Sequence, residues 1–225
     1  MPNTVQDSEF FSFLHQVRRG DDGAAEKLPP LKTLSNQLEI SLPRLREQVE
    51  VAKALGLIDV RPRVGIRRLD YSFFPAVRSS LFYAIQQDHA YFEDFLDLRC
   101  QIENAYFQQA GCALTEEDHQ ELNELIEAAW SKLRGRPVRI PHQEHRQFHL
   151  TIYRRLDNVF VTGLLEAYWD AYEQVGLNVY ADLAYLEDVW TYHQKLARAL
   201  ADGEPEKGAR LLQEHFELLI DRLAS

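Results

Sequence analysis

From Pro75 to the end of this 225-residue chain, no stretch alternates apolar and polar side chains with the period of two that a half-buried strand requires. The apolar positions recur instead at helical spacing, which predicts helices over 76–87, 89–110, 115–133, 140–156, 158–181, 183–201 and 205–223. Gly111, Gly135-Arg136-Pro137 and Asp202-Gly203-Glu204-Pro205 separate them. Thr115-Glu116-Glu117-Asp118 reads as a helix start, with Thr115 as cap and acids facing the N-terminal dipole. Amphipathic helices joined by short loops bury their apolar stripes only against one another, so an antiparallel all-helical bundle is expected. Tandem repeats, a glycine-rich phosphate loop and a Gly-x-Ser-x-Gly elbow do not occur.

The preceding residues follow a different pattern. Glu9–Arg19 reads as a helix with Phe10, Phe13, Leu14 and Val17 at helical spacing, stopped by Gly20-Asp21-Asp22-Gly23. After an extended Leu28-Pro29-Pro30, a second helix over Leu31–Leu38 carries Leu31, Leu34 and Leu38 on one face. Ser41 or Leu42 caps a third helix, Pro43–Leu55, and Pro43 lies in its first turn, where a missing N–H costs nothing. That helix turns Leu45, Val49 and Ala52 inward and Arg44, Arg46 and Lys53 outward, and Gly56 ends it. Residues 57–61 alternate like a strand, 62–65 turn, and 66–69 return as a partner. The fold class is therefore mostly α: a winged helix-turn-helix with a small β-hairpin wing over 1–69, a linker over 70–78, and the bundle over 79–225.

A net charge of −10 at first argues against a nucleic-acid partner. Its distribution argues otherwise. Residues 1–69 carry 11 basic and 9 acidic side chains, whereas 70–225 carry 14 basic and 26 acidic. A helix with outward arginines can enter a major groove and read guanine edges, and arginines on a wing can hold phosphates. Lys32, Ser41, Arg44, Arg46, Arg61, Arg63 and Arg67 are the expected DNA contacts. The competing reading is a module that only mediates protein contacts. Cys100 and Cys112 are too few for a disulfide framework and suit a reducing cytoplasm. No apolar run reaches the ~18–20 residues of a membrane span. The first residues lack a basic segment followed by an apolar one, so no secretory signal is expected.

Five of the eight histidines stand at informative positions in the helical region. His142, His145 and His149 share one helix, and the last two stand at i, i+4 on one face. His193 lies beside Trp190, Leu196 and Ala197, and His215 beside Leu211, Leu212, Leu218 and Leu219. Histidines on the apolar faces of three helices can converge inside a bundle, where Zn²⁺ or Ni²⁺ suits neutral imidazole. The alternative for each is an ordinary hydrogen-bonded core or surface residue. A three-histidine site with an open position can also activate water, which leaves a metal-dependent hydrolase open; Glu144 and Glu214 are the available general bases, without a motif around either.

Leu28-Pro29 before a helix, Leu34, Gln37-Leu38, Ser41, Leu45-Arg46-Glu47 and Leu55-Gly56-Leu57-Ile58-Asp59-Val60-Arg61-Pro62 with Gly65 resemble the DNA-binding domain of GntR-family transcription regulators. Three places depart from the family pattern. Pro30-Leu31-Lys32-Thr33 stands for the usual Ser-Glu-Arg-Glu, Ser41-Leu42 for the usual Ser-Arg, and Arg63 for a common wing glycine. Residues 79–223 resemble the helical effector domain, FCD, of the FadR subfamily, through Leu98-Arg99, Glu103, Phe148-His149, Asn158, His193, Gly203, Ala209 and His215.

The resemblance implies a divalent metal held by Asp-x-x-x-His and two later histidines. His149, His193 and His215 match, and His145 stands where the family has Asp. It further implies a small-molecule effector, such as a carboxylate, near Arg99, Tyr153 and Asn158, although Arg99 can instead pair with Glu103 at i, i+4. Tyr168, Trp169 and Tyr172 either line the cavity or fill the core. Some relatives lack the metal and bind acyl-CoA. The function expected is a homodimeric repressor, not an enzyme, on a palindromic double-stranded DNA operator, with no membrane partner.

Overall fold

The structure, a computed structural model, describes residues 8–17, 27–177, 179 and 182–224, and the chain divides into two units, Met1–Ala76 and Val77–Ser225. The expected turn at 20–23, the helix end at 18–19, the first seven residues and positions 180–181 lie outside the described residues.

In the first unit, α1 (Glu9–Gln16), α2 (Leu31–Gln37) and α3 (Leu42–Ala54) precede β1 (Ile58–Arg61) and β2 (Gly65–Arg68). The strands pair antiparallel with Ile58 opposite Arg68 and Arg61 opposite Gly65. Their alternation puts Ile58 and Ile66 into one core with Phe10, Leu14, Leu34, Leu45 and Val49, and leaves Arg61 and Arg67 exposed. Ser41 caps α3 by accepting the Arg44 N–H at 3.4 Å, and Leu42 and Pro43 form its first turn. Buried Gln48 ties α3 to α1: its Oε1 accepts the Phe10 N–H at 3.0 Å and its Nε2 donates to Glu9 at 2.9 Å. Arg68 donates to the Val17 carbonyl, so this wing arginine braces the unit from within.

Among the described residues, the regular elements that follow are all helices: α4 (Phe74–Gln87), which leads into the second unit, then α5 (Ala90–Cys112), α6 (Glu116–Leu133), α7 (His142–Tyr153), α8 (Val159–Gln174), α9 (Leu183–Ala201) and α10 (Pro205–Ala224). Helix α5 packs on α7, α8 and α10, while α9 packs on α6 and α10. Several boundaries differ from expectation, α7 among them at both ends, and two have a local cause. Helix α4 starts at Phe74, inside the expected linker, because Ser72 Oγ accepts the Phe74 N–H at 3.2 Å and Pro75 needs no donor in the first turn. Helix α8 stops at Gln174, short of 181. Gly176 takes φ +81°, and the N–H groups of Gly176 and Leu177 close back on Glu173 and Tyr172.

Candidate metal centre

Helix α7 presents His145 and His149 from one face, as i, i+4 spacing dictates; α9 adds His193 and α10 adds His215. One nitrogen from each lies within 4.8 Å of the other three. His149, His193 and His215 are buried, and His145 is partly exposed. The Nε2 atoms of His149 and His193 stand 3.2 Å apart, near the ~3.3 Å between two nitrogens each ~2.0 Å from a tetrahedral ion.

The protonation state suits a cation. Burial, and then the neighbouring imidazoles, hold His145 and His193 well below the usual histidine range. Burial and His149 do the same to His215. His145 Nε2, His193 Nδ1 and His215 Nδ1 are buried without a hydrogen-bond partner. Such atoms cost about 1–3 kcal/mol each when nothing satisfies them. Neutral imidazoles with orphaned nitrogens form a donor set that fits a borderline divalent cation.

His149 has a second attachment. Its Nδ1 lies 2.8 Å from Glu103 Oε2 and 3.2 Å from an Arg99 guanidinium nitrogen, contacts that ask opposite roles of the same atom. Glu103 Oε1 accepts the Arg99 Nε hydrogen at 2.5 Å, and a carboxyl group paired with a guanidinium acts as an acceptor with no proton to give. Nδ1 therefore carries the hydrogen and donates it to Glu103, leaving a lone pair on Nε2. Burial lowers the His149 pKa while Glu103 partly opposes that shift, and the net direction is down.

Arg99 is 3% exposed; it bonds Glu103 Oε1 at 2.5 Å and lies 4.2 Å from the Tyr168 ring centre. Of the two roles open to it in the sequence, it holds the intrahelical pair. Tyr153 donates its hydroxyl to the Glu103 carbonyl at 2.9 Å, and Asn158 caps α8 and donates to the Tyr106 hydroxyl. The three residues expected at the effector are thus bonded within the protein, and Tyr168 and Trp169 are core. Tyr172 is buried too, and it lines a narrow cleft of about 10 Å³, room for about one water, with His142, His145, Tyr185 and Trp190. His142 stacks on Tyr172 (ring centres 5.5 Å apart) and contacts Glu173 at 2.7 Å, a pairing that no sequence pattern announced. Glu144 is bound to Lys132 at 2.5 Å, which removes it as a poised general base.

In the first unit, Lys32, Ser41, Arg44, Arg46, Arg61, Arg63 and Arg67 are all exposed. Arg44 pairs with Glu9 at 2.8 Å and Arg61 with Asp59 at 2.6 Å. Exposed pairs of this kind are worth ~0–1 kcal/mol and exchange readily for phosphate.

Residues 94–218 match the FCD domain family. The chain is 24% identical over 212 residues to the uncharacterized HTH-type transcriptional regulator YcbG of Bacillus subtilis (strain 168), covering 93% of this chain and 86% of that protein. It is 23% identical over 203 residues to the Uxu operon transcriptional regulator of Escherichia coli (strain K12), covering 88% and 78%. Among solved structures, Streptococcus agalactiae GntR superposes with a TM-score of 0.70 at 16% identity, covering 96% of this chain and 98% of that one. E. coli McbR/YncC does so at 0.51 and 20% identity, covering 98% and 97%.

Proposed function

Since the chain belongs to the GntR-type transcription regulators that carry an FCD domain, we propose that it is a homodimeric repressor whose grip on a palindromic operator is controlled by a small acid reaching a metal-bound histidine cluster. The observation that carries this reading is the convergence of His145, His149, His193 and His215 at the foot of the cleft. These four residues would hold the ion, and an all-imidazole set favours zinc or nickel over harder cations. When bound, the ion supplies a positive centre for a carboxylate oxygen. The cleft residues His142, Tyr172 and Trp190 surround that approach. Arg99, Tyr153 and Asn158 then act on the effector indirectly, because their polar groups are already bonded within the protein.

On the DNA side, Lys32, Ser41, Arg44 and Arg46 face the groove and Arg61, Arg63 and Arg67 the backbone beside it. A two-fold dimer matches half-sites about one helical turn apart. The effector weakens DNA binding only if it favours the state that fits the operator less well. Such a regulator acts in the cytoplasm with its operator.

Two measurements test this. Elemental analysis of untagged protein should find close to one zinc or nickel per chain. Fluorescence anisotropy with DNA from upstream of its own gene should show salt-dependent binding, released by one member of a panel of small carboxylates. Absence of salt-dependent binding to any genomic fragment would overturn the regulatory reading.

A further inference from the structure

Among the described residues, Glu103 is the one carboxylate bonded to any of the four histidines. It is fully buried, 46 positions before its partner His149, and lies on a different helix. All four candidate ligands are histidines, which bind a metal as neutral imidazole. A divalent ion there meets no charge among its direct ligands, and the nearest fixed negative charge is Glu103.

We propose that Glu103 is the positioning residue of this cluster: by accepting the Nδ1 hydrogen of His149 it fixes Nε2 as the ion-facing nitrogen and supplies, one bond removed, the negative charge absent from the ligands. The inference rests on the metal-binding reading above. A histidine whose outer nitrogen donates to a carboxylate is held in one tautomer and is a more basic ligand through the other nitrogen. The carboxylate must itself be immobile for this to work. Arg99 provides that: its guanidinium bonds Glu103 Oε1 at 2.5 Å and is boxed by the rings of Tyr168 (4.2 Å), Trp169 (5.1 Å) and Phe216 (4.9 Å). Two of those rings also border the cluster. Trp169 lies 4.7 Å from the His145 ring centre, and Phe216 lies 5.8 Å from that of His215. Arg99 therefore serves Glu103, and a carboxylate effector takes its charge partner elsewhere.

The test uses the full-length protein. Long-range ¹H–¹⁵N spectra of the metal-free protein should show His149 protonated on Nδ1. Zinc affinity, measured by competition with a chromophoric chelator, should fall about 10–100-fold in R99M/E103L, which removes both buried charges together so that neither is stranded. E103Q keeps an acceptor but loses the charge, and should recover part of that affinity. Circular dichroism establishes that each variant is folded. His149 protonated on Nε2, or a folded R99M/E103L binding zinc as tightly as the unaltered protein, would overturn the proposal. If the unaltered protein binds no zinc or nickel, the metal reading fails by itself, and the tautomer of His149 still decides whether Glu103 positions it.

Discussion

Arg63 holds a backbone conformation that side chains with a Cβ avoid: its φ is +65°, in the turn between β1 and β2. The left-handed region costs about 1–2 kcal/mol for an L-residue, and a glycine there would escape it. An exposed arginine kept under strain at the tip of a basic wing points to an interaction made by its charge. Arg63→Gly should raise stability by up to about 1 kcal/mol, once the added freedom of the unfolded chain is subtracted. The same variant should reduce the slope of log K against log salt by about 1 for each phosphate that the arginine had neutralised. Thermal melts and anisotropy titrations at several salt concentrations check both halves, and an unchanged salt slope would remove Arg63 from the DNA-binding surface. The histidine cluster was similarly legible one residue at a time, since i, i+4 spacing and apolar neighbours place His145, His149, His193 and His215 on inward faces. Glu103 was not. Its spacing announces Arg99 four positions earlier, but a bond to a residue on another helix depends on how α5 and α7 pack, which no local pattern encodes.

At the scale of elements, two glycines separate backbone conformation from close packing. Gly176 has φ +81° and, among the described residues, no atom within 4 Å of where its side chain would be, so Gly176→Ala should cost about 1 kcal/mol from backbone strain. A Cβ on Gly208 would lie 2.5 Å from Cε1 of fully buried Phe107, so Gly208→Ala should cost about 1–3 kcal/mol through overpacking of α10 on α5. Urea midpoints of the two variants should therefore rank Gly208→Ala as the more damaging. Asp118 shows how an N-cap becomes a tertiary joint. Thr115 caps α6 as expected, Asp118 completes a capping box by accepting the Thr115 N–H, and Arg154 and Arg155, from the segment after α7, bind the same carboxylate. Burial would raise the Asp118 pKa, but the bonds from Arg155, Thr115 and Arg154 hold it well below the usual range. Because the folded value lies below the unfolded one, its stabilisation is complete above about pH 4 and drains away as pH falls toward the folded value. Asp118→Asn should lower stability at pH 7 and flatten the pH dependence below 4; urea midpoints between pH 2.5 and 7 measure this. Most helix identities were legible because 3.6-residue periodicity survives burial. The end of α8 was missed because apolar residues continue past the glycine that stops the helix.

For the whole molecule, the −10 net charge conceals a first 69 residues at +2 and a remainder at −12. An acidic remainder suppresses non-specific attraction to DNA, so binding should depend on the few exposed cations of the first unit and respond steeply to salt. With six to ten phosphates neutralised by a dimer, affinity should drop about 10³–10⁵-fold between 50 and 200 mM salt. A shallow response would mean that this surface does not carry the binding.

The histidine cluster is also an assembly problem in time. His145 and His149 become neighbours as soon as α7 forms, whereas His193 joins across 44 positions of chain and Glu103 across 46. Contacts of that separation form late, after the loops between them have closed. An ion present during folding thus meets an open two-histidine half-site on a nascent helix, and one added afterwards meets the folded cluster, whose member His145 lines the cleft beside His142. The two loading routes should differ in rate, and only the second should be slowed by a ligand already sitting in the cleft.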